Sequence, residues 1–228
     1  MKRFWTDVAI DAAGAVTLDG RPVRTPGRLP LAIPFPALAE AAAAEWRAVE
    51  GEIDPRNMPL TGLANAAIER VPQDQARFAA TLARFGETDL LCYRADAPPA
   101  LVARQAELWD PLLAWARHRY DVHVEVIAGV MHRAQPAATI ARLSEAVAAR
   151  SAWELAGLSP VVTIGGSLIA ALALLEGAID AETAWRAVEA DEDWQTEQWG
   201  RDEVSLAALE SRRRDFHNAA RFLELLAK

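Results

Sequence analysis

Residues 8–49, VAIDAAGAVTLDGRPVRTPGRLPLAIPFPALAEAAAAEWRAV, contain the change from strand-forming to helix-forming sequence from which the fold class follows. Up to residue 35, short β-favouring runs at 8–10, 15–18 and 31–33 are separated by turn residues. From Pro36 onward the chain consists of good helix formers, and a proline in the first turn is typical of a helix start. The stretch therefore predicts a few short strands followed by a helix over residues 36–49.

A tight hairpin is predicted at Asp19-Gly20, which separates residues 16–18 from residues 21–23. A two-residue type I′ turn needs positive φ at both central positions, and Asp-Gly is well suited to this requirement. Pro22 has no backbone N–H to donate, so it confines the returning strand to a sheet edge or must be the first residue of that strand.

The rest of the chain is mainly helical in pattern. Further helices are predicted over residues 63–70, 73–85, 101–119, 136–155, 167–179, 181–200 and 205–226. A later strand is predicted at residues 122–127, VHVEVI, and pairing back to the N-terminal strands is one arrangement open to it. The fold class is therefore α+β: a small strand-containing N-terminal domain, residues 1–72, followed by a larger orthogonal α-helical bundle, residues 73–228.

The most apolar part of the chain, residues 155–175, carries no charged residue. Glycine and proline residues between positions 157 and 166 interrupt it and leave only residues 167–179 as continuous helix. That helix is shorter than the roughly 20 residues that a bilayer requires. The segment therefore predicts a buried core helix with Ser167 as its N-cap, and no membrane insertion.

Composition and charge narrow the class of protein. The chain has 228 residues, a formal net charge of −8 and a pI near 5.1. This acidity argues against nucleic acid or an anionic membrane as the main partner. Cys92 is the only cysteine, which excludes an intrachain disulfide and favours a reducing compartment. The start of the chain, MKRFWTDVAID, has no apolar or Arg/Ser-rich pattern, so no targeting segment is predicted.

Residues 189–203, EADEDWQTEQWGRDE, form an acidic segment around two tryptophans. Its carboxylates are Glu189, Asp191, Glu192, Asp193, Glu197, Asp202 and Glu203. Tryptophan is over-represented at dominant interface positions, and carboxylates orient a basic partner, so the segment favours protein binding. The alternative is a solvated helix face with its tryptophans in the core. Trp194 and Trp199 lie about 140° apart around the helix axis, so at least one of them lies away from the centre of a core-facing stripe.

No constellation of catalytic or metal-binding residues is evident in the sequence. The histidines are His118, His123, His132 and His217, and none stands in a zinc-binding or di-metal motif. Ser159 departs from the nucleophile-elbow pattern, Cys92 has the apolar neighbours of a buried residue, and Gly165-Gly166 lacks the lysine of a phosphate-binding loop. We therefore predict no cofactor, no metal and no small-molecule substrate.

Several short motifs occur in order from residue 3 to residue 203. They are Arg3-Phe4-Trp5; LDGRPVRTP at residues 18–26; Ala44-Glu45-Trp46; Asn57-Met58-Pro59-Leu60-Thr61; TDLLCYRA at residues 88–95; the pattern Q-x-x-x-W-D-P-L-L-x-W at residues 105–115; and Trp194-Gln195, Trp199-Gly200 and Glu203. Taken together, these motifs resemble the assembly chaperone family that binds the unassembled α subunit of the F-type ATP synthase catalytic head.

The resemblance implies an α+β domain followed by a helical domain, and a role without catalysis. Such proteins shield the apolar interface of a free α subunit and prevent its aggregation until the β subunit replaces them. The partner-binding block of the family falls on Asp191, Glu192, Asp193, Trp194, Gln195, Trp199, Gly200 and Glu203. We expect Glu192 and Glu203 to be the most important charges. Mitochondrial members continue with a His-Asp pair where this chain has Leu206-Ala207, and this departure, with the missing transit segment, points to a bacterial cytoplasmic member.

Two other functions are kept as alternatives. One is an enzyme that uses a carboxylate pair in the cleft between the two domains, which predicts a closed pocket containing a pair with perturbed pKa values. The other is a permanent structural subunit of a larger complex, which predicts stable co-purification with its partners in fixed stoichiometry.

Overall fold

The computed structural model describes residues 2–129, 131, 133–200 and 203–228. Within these ranges the strands are β1 (Val8–Ile10), β2 (Val16–Leu18), β3 (Arg21–Pro22), β4 (Tyr93–Arg94) and β5 (Ile127–Ala128). The α-helices are α1 (Pro36–Arg47), α2 (Pro59–Asn65), α3 (Val71–Gln73), α4 (Gln75–Ala83), α5 (Pro99–Tyr120), α6 (Ala137–Ala148), α7 (Ala152–Gly165), α8 (Leu168–Leu175), α9 (Ala181–Val188), α10 (Ala190–Trp199) and α11 (Glu203–Leu226). A π-helical turn, Ala66–Arg70, joins α2 to α3. His132 and Asp202 lie outside the described residues.

The N-terminal strands form an antiparallel sheet in the order β1-β2-β3. Asp19 and Gly20 have φ values of 47° and 76°, as the predicted type I′ hairpin requires, and Leu18 pairs with Arg21 across the turn. Pro22 lies on the edge strand, in agreement with its missing N–H. Residues 31–33, predicted as a strand, instead form only an isolated bridge, between Ala32 and Ala15.

Helix α1 packs on this sheet and also positions α2, the helix that follows it. Trp46 on α1 meets Trp5 edge to face, with ring centres 5.5 Å apart, and both side chains are buried. The Glu45 carboxylate accepts hydrogen bonds from the backbone N–H groups of Leu60 and Thr61, each at 2.8 Å, in the first turn of α2. Burial raises the pKa of Glu45, while these N–H donors lower it.

The helical core is built around α7 and α8. Residues 168–174 of α8 are all buried, and the Ser167 hydroxyl accepts from the N–H of Ala170 at 3.0 Å, so the predicted core helix and its N-cap are confirmed, although the helix ends at Leu175 and not at residue 179. The predicted interruption is wrong at Gly157 and Pro160, because α7 continues through both to Gly165, but it is correct at Gly166, whose φ of 68° ends α7 before α8 begins. Burial of the apolar residues of α7 outweighs the local preference. The predicted helix over residues 136–155 is two helices, since Ser151 and Glu154 form a capping box at the start of α7.

The pairing of residues 122–127 with the N-terminal strands is not found. Only Ile127–Ala128 forms a strand, and it pairs in parallel with β4, with Ile127 opposite Tyr93. The Gln135 side chain bonds both the N–H and the C=O of Glu125, each at 2.9 Å, so these backbone groups are satisfied inside a loop rather than by a sheet.

The α+β class, with a small strand-bearing N-terminal part followed by helices, is confirmed. Buried apolar residues form two clusters: one contains residues from Trp5 to Ala64 together with Phe222, and the other runs from Ala67 to Leu223. Among the described residues, no helix has the length and apolar content that crossing a membrane demands.

Candidate functional site

The acidic segment forms a short helix, α10, that is separated from its neighbours at both ends. Residues 181–200 were predicted as one helix, and this is wrong because the chain leaves helical geometry at Glu189, where ψ is 5°. At the other end Gly200 has φ 74° and ψ −179°, a conformation that glycine adopts without strain. The first turn contains three acidic residues, whose negative charges interact favourably with the positive end of the helix dipole: Asp191, Glu192 and Asp193.

One face of α10 is held against α5 by polar contacts. Asp191, Trp194 and Glu197 recur every three residues and so share this face. Gln105 Nε2 donates to Asp191 Oδ1 at 2.7 Å. Arg104 donates to both carboxylate oxygens of Glu197 at 2.8 Å, and its guanidinium carbon lies 5.0 Å from the centre of the Trp194 ring. The hydrogen bond from Arg104 lowers the pKa of Glu197.

The opposite face of α10 is exposed. Glu192, Gln195 and Trp199 lie within about 60° of one another around the helix axis, and each is exposed to solvent. Trp199 is 78% exposed, which is unusual for the largest apolar side chain. Asp193 lies between the two faces and lines a cavity of about 280 Å³ together with Arg104 and Arg186.

The beginning of α11 is exposed as well. Residues 203–208 are all exposed, and the helix buries no side chain completely before Phe216. Two of these residues are large and apolar: Val204 is 81% exposed and Leu206 is 43% exposed. We call Trp199, Val204 and Leu206 the exposed apolar set; Val204 and Leu206 lie about 160° apart around the axis of α11 and so face different sides of that helix. Large exposed apolar side chains close in sequence to carboxylates such as Glu203 favour a surface for protein contact.

Glu189 belongs to the fold rather than to this surface. Its side chain is fully buried, and Oε1 accepts from Arg212 of α11 at 2.7 Å. Carboxylates that are neighbours in the acidic segment therefore differ in their surroundings. One is buried, some face α5 and others are exposed.

Neither Cys92 nor Glu197 has a pKa suited to catalysis. Burial raises the pKa of the Cys92 thiol to about 12, so it is a poor nucleophile. No described group of three or more His, Cys, Asp or Glu side chains is arranged to hold a metal ion. In the cavity beside α10, Arg104 holds the pKa of Glu197 below its ordinary value, the reverse of what a general acid needs.

Sequence reasoning missed several residues that position the site. Arg104 and Gln105 carry the contacts to α10, and no local pattern in α5 links them to residues 93 and 86 positions away. Glu45 and Asp89 were also missed as helix-capping carboxylates. Each lies within one of the motifs quoted above. The sequence signal for Glu45 was the helix start at Pro59, in the next motif, and the signal for Asp89 was the helix start at Ser167, which lies outside the motifs.

Large exposed apolar side chains at the end of an acidic helix and at the start of the next are typical of a binding protein, and comparison with known proteins places the chain among the chaperones. A sequence profile described as ATP12 chaperone protein matches residues 2–117. The crystal structure of Atp12 from Paracoccus denitrificans is 45% identical, with a TM-score of 0.92 over 99% of this chain and 98% of that one. The Atu1473 protein of Agrobacterium tumefaciens is 40% identical, with a TM-score of 0.91 over 99% of this chain and 86% of that one.

A more distant relative is the protein named atp12, mitochondrial, of Schizosaccharomyces pombe. It is 26% identical over 214 residues, which span 87% of this chain and 74% of the relative. The chain belongs to the ATP12 chaperone family, and the resemblance drawn from its motifs is confirmed. Its function is that of a chaperone in ATP synthase assembly.

Proposed function

We propose that this chain binds the free α subunit of the F-type ATP synthase catalytic head and covers the apolar interface that later contacts the β subunit. It acts by reversible binding and not by catalysis. A free subunit with an exposed apolar interface aggregates, and a chaperone that covers the interface prevents this. Membership of the ATP12 chaperone family supports this client. We place the activity in a bacterial cytoplasm, which agrees with two bacterial relatives and awaits a direct test.

The observation that carries the proposal is the exposed apolar set, which is close in sequence to the exposed carboxylates of α10 and α11. Burial of these apolar side chains in a complex supplies most of the affinity, because about 25 cal/mol is gained for each Å² of apolar surface removed from water. Exposed carboxylates add orientation and a faster encounter with a basic client surface. Trp199 is the expected anchor, since tryptophan is enriched among residues that dominate interface energy.

The predicted site residues take different roles in this proposal. Glu192, Gln195, Trp199 and Glu203 contact the client, and Asp193 borders the contact. Asp191 and Trp194 hold α10 in place through α5. Gly200 provides the turn between the two helices. Leu206, which stands with Ala207 in place of the His-Asp pair of mitochondrial members, adds apolar contact where those members have polar side chains.

Charge reversal at Glu203 tests the proposal. We expect Glu203→Lys to lose binding to isolated α subunit while the thermal unfolding midpoint falls by no more than about 4 °C, because Glu203 is exposed and its place in the first turn of α11 contributes about 1 kcal/mol or less. The matched control is Glu50→Lys, which makes the same change in net charge at an exposed position after α1. Binding is measured by titration calorimetry with isolated α subunit. Full binding by Glu203→Lys would remove this residue from the mechanism.

Co-purification separates the proposal from a permanent structural role. A chaperone is released on assembly, so it should be absent from purified ATP synthase and present with unassembled α subunit. Stoichiometric recovery with the finished enzyme would instead support a structural subunit.

A further inference from the structure

Helix α10 has very little apolar anchorage of its own. Ala190, at its first position, is the only residue of the helix that is buried in the described structure. A helix with one buried alanine is not kept in a fixed rotation by hydrophobic packing, because such packing normally requires an apolar stripe about three residues in seven wide. The contacts that fix its orientation must therefore be polar.

Arg104 supplies the first of these contacts. Its guanidinium makes two parallel hydrogen bonds to Glu197 and lies over the ring of Trp194 at the same time. A planar fork that grips a carboxylate at two atoms fixes direction as well as distance. Because Trp194 and Glu197 are three residues apart, one side chain of α5 holds nearly a full turn of α10 in a single rotation.

Gln105 supplies the second contact, at the beginning of α10. Its side chain is 1% exposed, and both ends of the amide are used. Oε1 accepts from the N–H of Ala95, just after β4, at 2.8 Å, and Nε2 donates to Asp191 at 2.7 Å. A buried amide with both ends satisfied is held in one orientation, since breaking either bond leaves a polar group without a partner.

We propose that Arg104 and Gln105 are positioning residues that form a polar latch between α5 and α10. The latch keeps Asp191, Trp194 and Glu197 turned toward α5 and thereby presents Glu192, Gln195 and Trp199 to the client. This inference rests on the proposed function for its consequence in binding, but the latch itself is a property of the free protein. Neither residue needs to touch the client.

Loss of the latch should reduce the fraction of molecules that present the binding face. Apparent affinity falls in proportion to the binding-competent fraction, so a variant with α10 correctly oriented about one tenth of the time binds about tenfold more weakly. The variant Arg104→Glu is the strongest test, because it replaces the grip on Glu197 by repulsion between like charges.

Hydrogen exchange tests the latch without any client. We expect backbone amides of residues 193–199 to exchange at least about tenfold faster in Arg104→Glu than in the wild type, while those of α7 and α8 are unchanged. The control is Arg186→Ala, which removes an arginine from the same cavity and should leave exchange in α10 unchanged. Unchanged exchange in Arg104→Glu would overturn the latch.

Charge exchange tests the positioning role. Arg104→Glu should bind isolated α subunit about tenfold more weakly, and the double variant Arg104→Glu with Glu197→Arg should recover most of the affinity, because it restores an ion pair of opposite polarity. Equal weakness of the single and double variants, or wild-type affinity of Arg104→Glu, would overturn the positioning role. If the wild type itself fails to bind α subunit, the proposed function fails. The hydrogen-exchange experiment still decides whether the latch exists, because it needs no client.

Discussion

The Asp89 carboxylate is completely enclosed where the 3-10 turn Leu90–Cys92 meets the start of α8. Its two oxygens accept hydrogen bonds from the N–H groups of Leu91, at 3.1 Å, and Ile169, at 2.9 Å. Burial raises the pKa of Asp89 from 3.8 to about 6, even though these donors act in the opposite direction. In weak acid the folded protein therefore retains a proton that the unfolded chain releases.

The difference in the pKa of Asp89 between the folded and unfolded states predicts that Asp89 makes the free energy of unfolding depend on pH. Because its pKa is raised in the folded state, the contribution of Asp89 to stability is fully present below pH 3.8 and is lost as the pH rises through about 6. A pKa difference of about two corresponds to about 3 kcal/mol. The free energy of unfolding of the wild type minus that of Asp89→Asn should thus fall by up to about 3 kcal/mol between pH 4 and pH 7.

Urea unfolding of both proteins at the two pH values measures this difference. All other titrating groups are shared by the two proteins, so their effects cancel to first order. A difference that is the same at pH 4 and pH 7 would show that Asp89 titrates normally.

Single residues of the candidate site were predictable only in part. The acidic segment and its two tryptophans stand out in the sequence, and their spacing shows that both cannot lie on one narrow stripe. Trp194 faces inward because Arg104 covers its ring, and Trp199 faces outward because nothing in the described structure covers it. That distinction depends on contacts between residues about 90 positions apart, which a local pattern does not contain.

Helices α7 and α11 make their close contact through a glycine. A Cβ atom placed on Gly157 would lie 2.5 Å from Leu223 Cδ2 and 2.9 Å from Phe222 Cδ1, both in buried side chains. We expect Gly157→Ala to lower the free energy of unfolding by about 1–3 kcal/mol, because these side chains must shift in a packed core.

The matched control is Gly62→Ala in α2. A Cβ at this position meets nothing within 4 Å, and Gly62 is exposed. Alanine there should raise stability by about 0.5–1 kcal/mol through its better helix propensity. Denaturant titration of both variants is the measurement. A neutral or stabilising Gly157→Ala would show that the contact between α7 and α11 accommodates an added methyl group.

Element boundaries were predictable where a local signal exists and was used. Asp19-Gly20 and Ser167 gave correct boundaries because a turn and an N-cap are chemistry of two or three neighbouring residues. The Ser151 capping box was equally local and was overlooked. The pairing of β4 with β5 is different in kind, because it joins segments separated by the whole of α5 and consists of two residue pairs.

At the scale of the whole molecule, α11 connects the two apolar clusters. Phe222 lies in the N-terminal cluster, and Phe216 and Leu223 of the same helix lie in the other. The Trp153 ring, near the start of α7, stacks 6.2 Å from Phe222 and meets Phe35 at 5.5 Å. A division at residues 72 and 73 remains our proposal for the domain boundary, but the N-terminal part completes its core with a side chain from the C-terminal helix.

Phe222→Ala should therefore weaken both parts together. Removal of a fully buried phenylalanine costs about 3–5 kcal/mol, mostly through the cavity that it leaves. We expect one cooperative unfolding transition, with amide protection lost in parallel in α1 and in α8. Loss of protection in α1 alone would show that the N-terminal part unfolds independently.

The fold class was predictable because it follows from the change of composition near Pro36 and from long helical patterns in the later part of the chain. The family was predictable because its motifs are spread along the chain in order. What sequence patterns do not give is the arrangement of the helices, since it is set by contacts such as Gly157 with Leu223 and Arg104 with Glu197.

The most direct measurement is light scattering from isolated α subunit at a temperature where it aggregates. With an equimolar amount of this protein we predict that scattering is suppressed, that Trp199→Ser abolishes most of the suppression, and that added β subunit releases the chaperone. Unchanged aggregation in the presence of the folded wild-type protein would contradict the account.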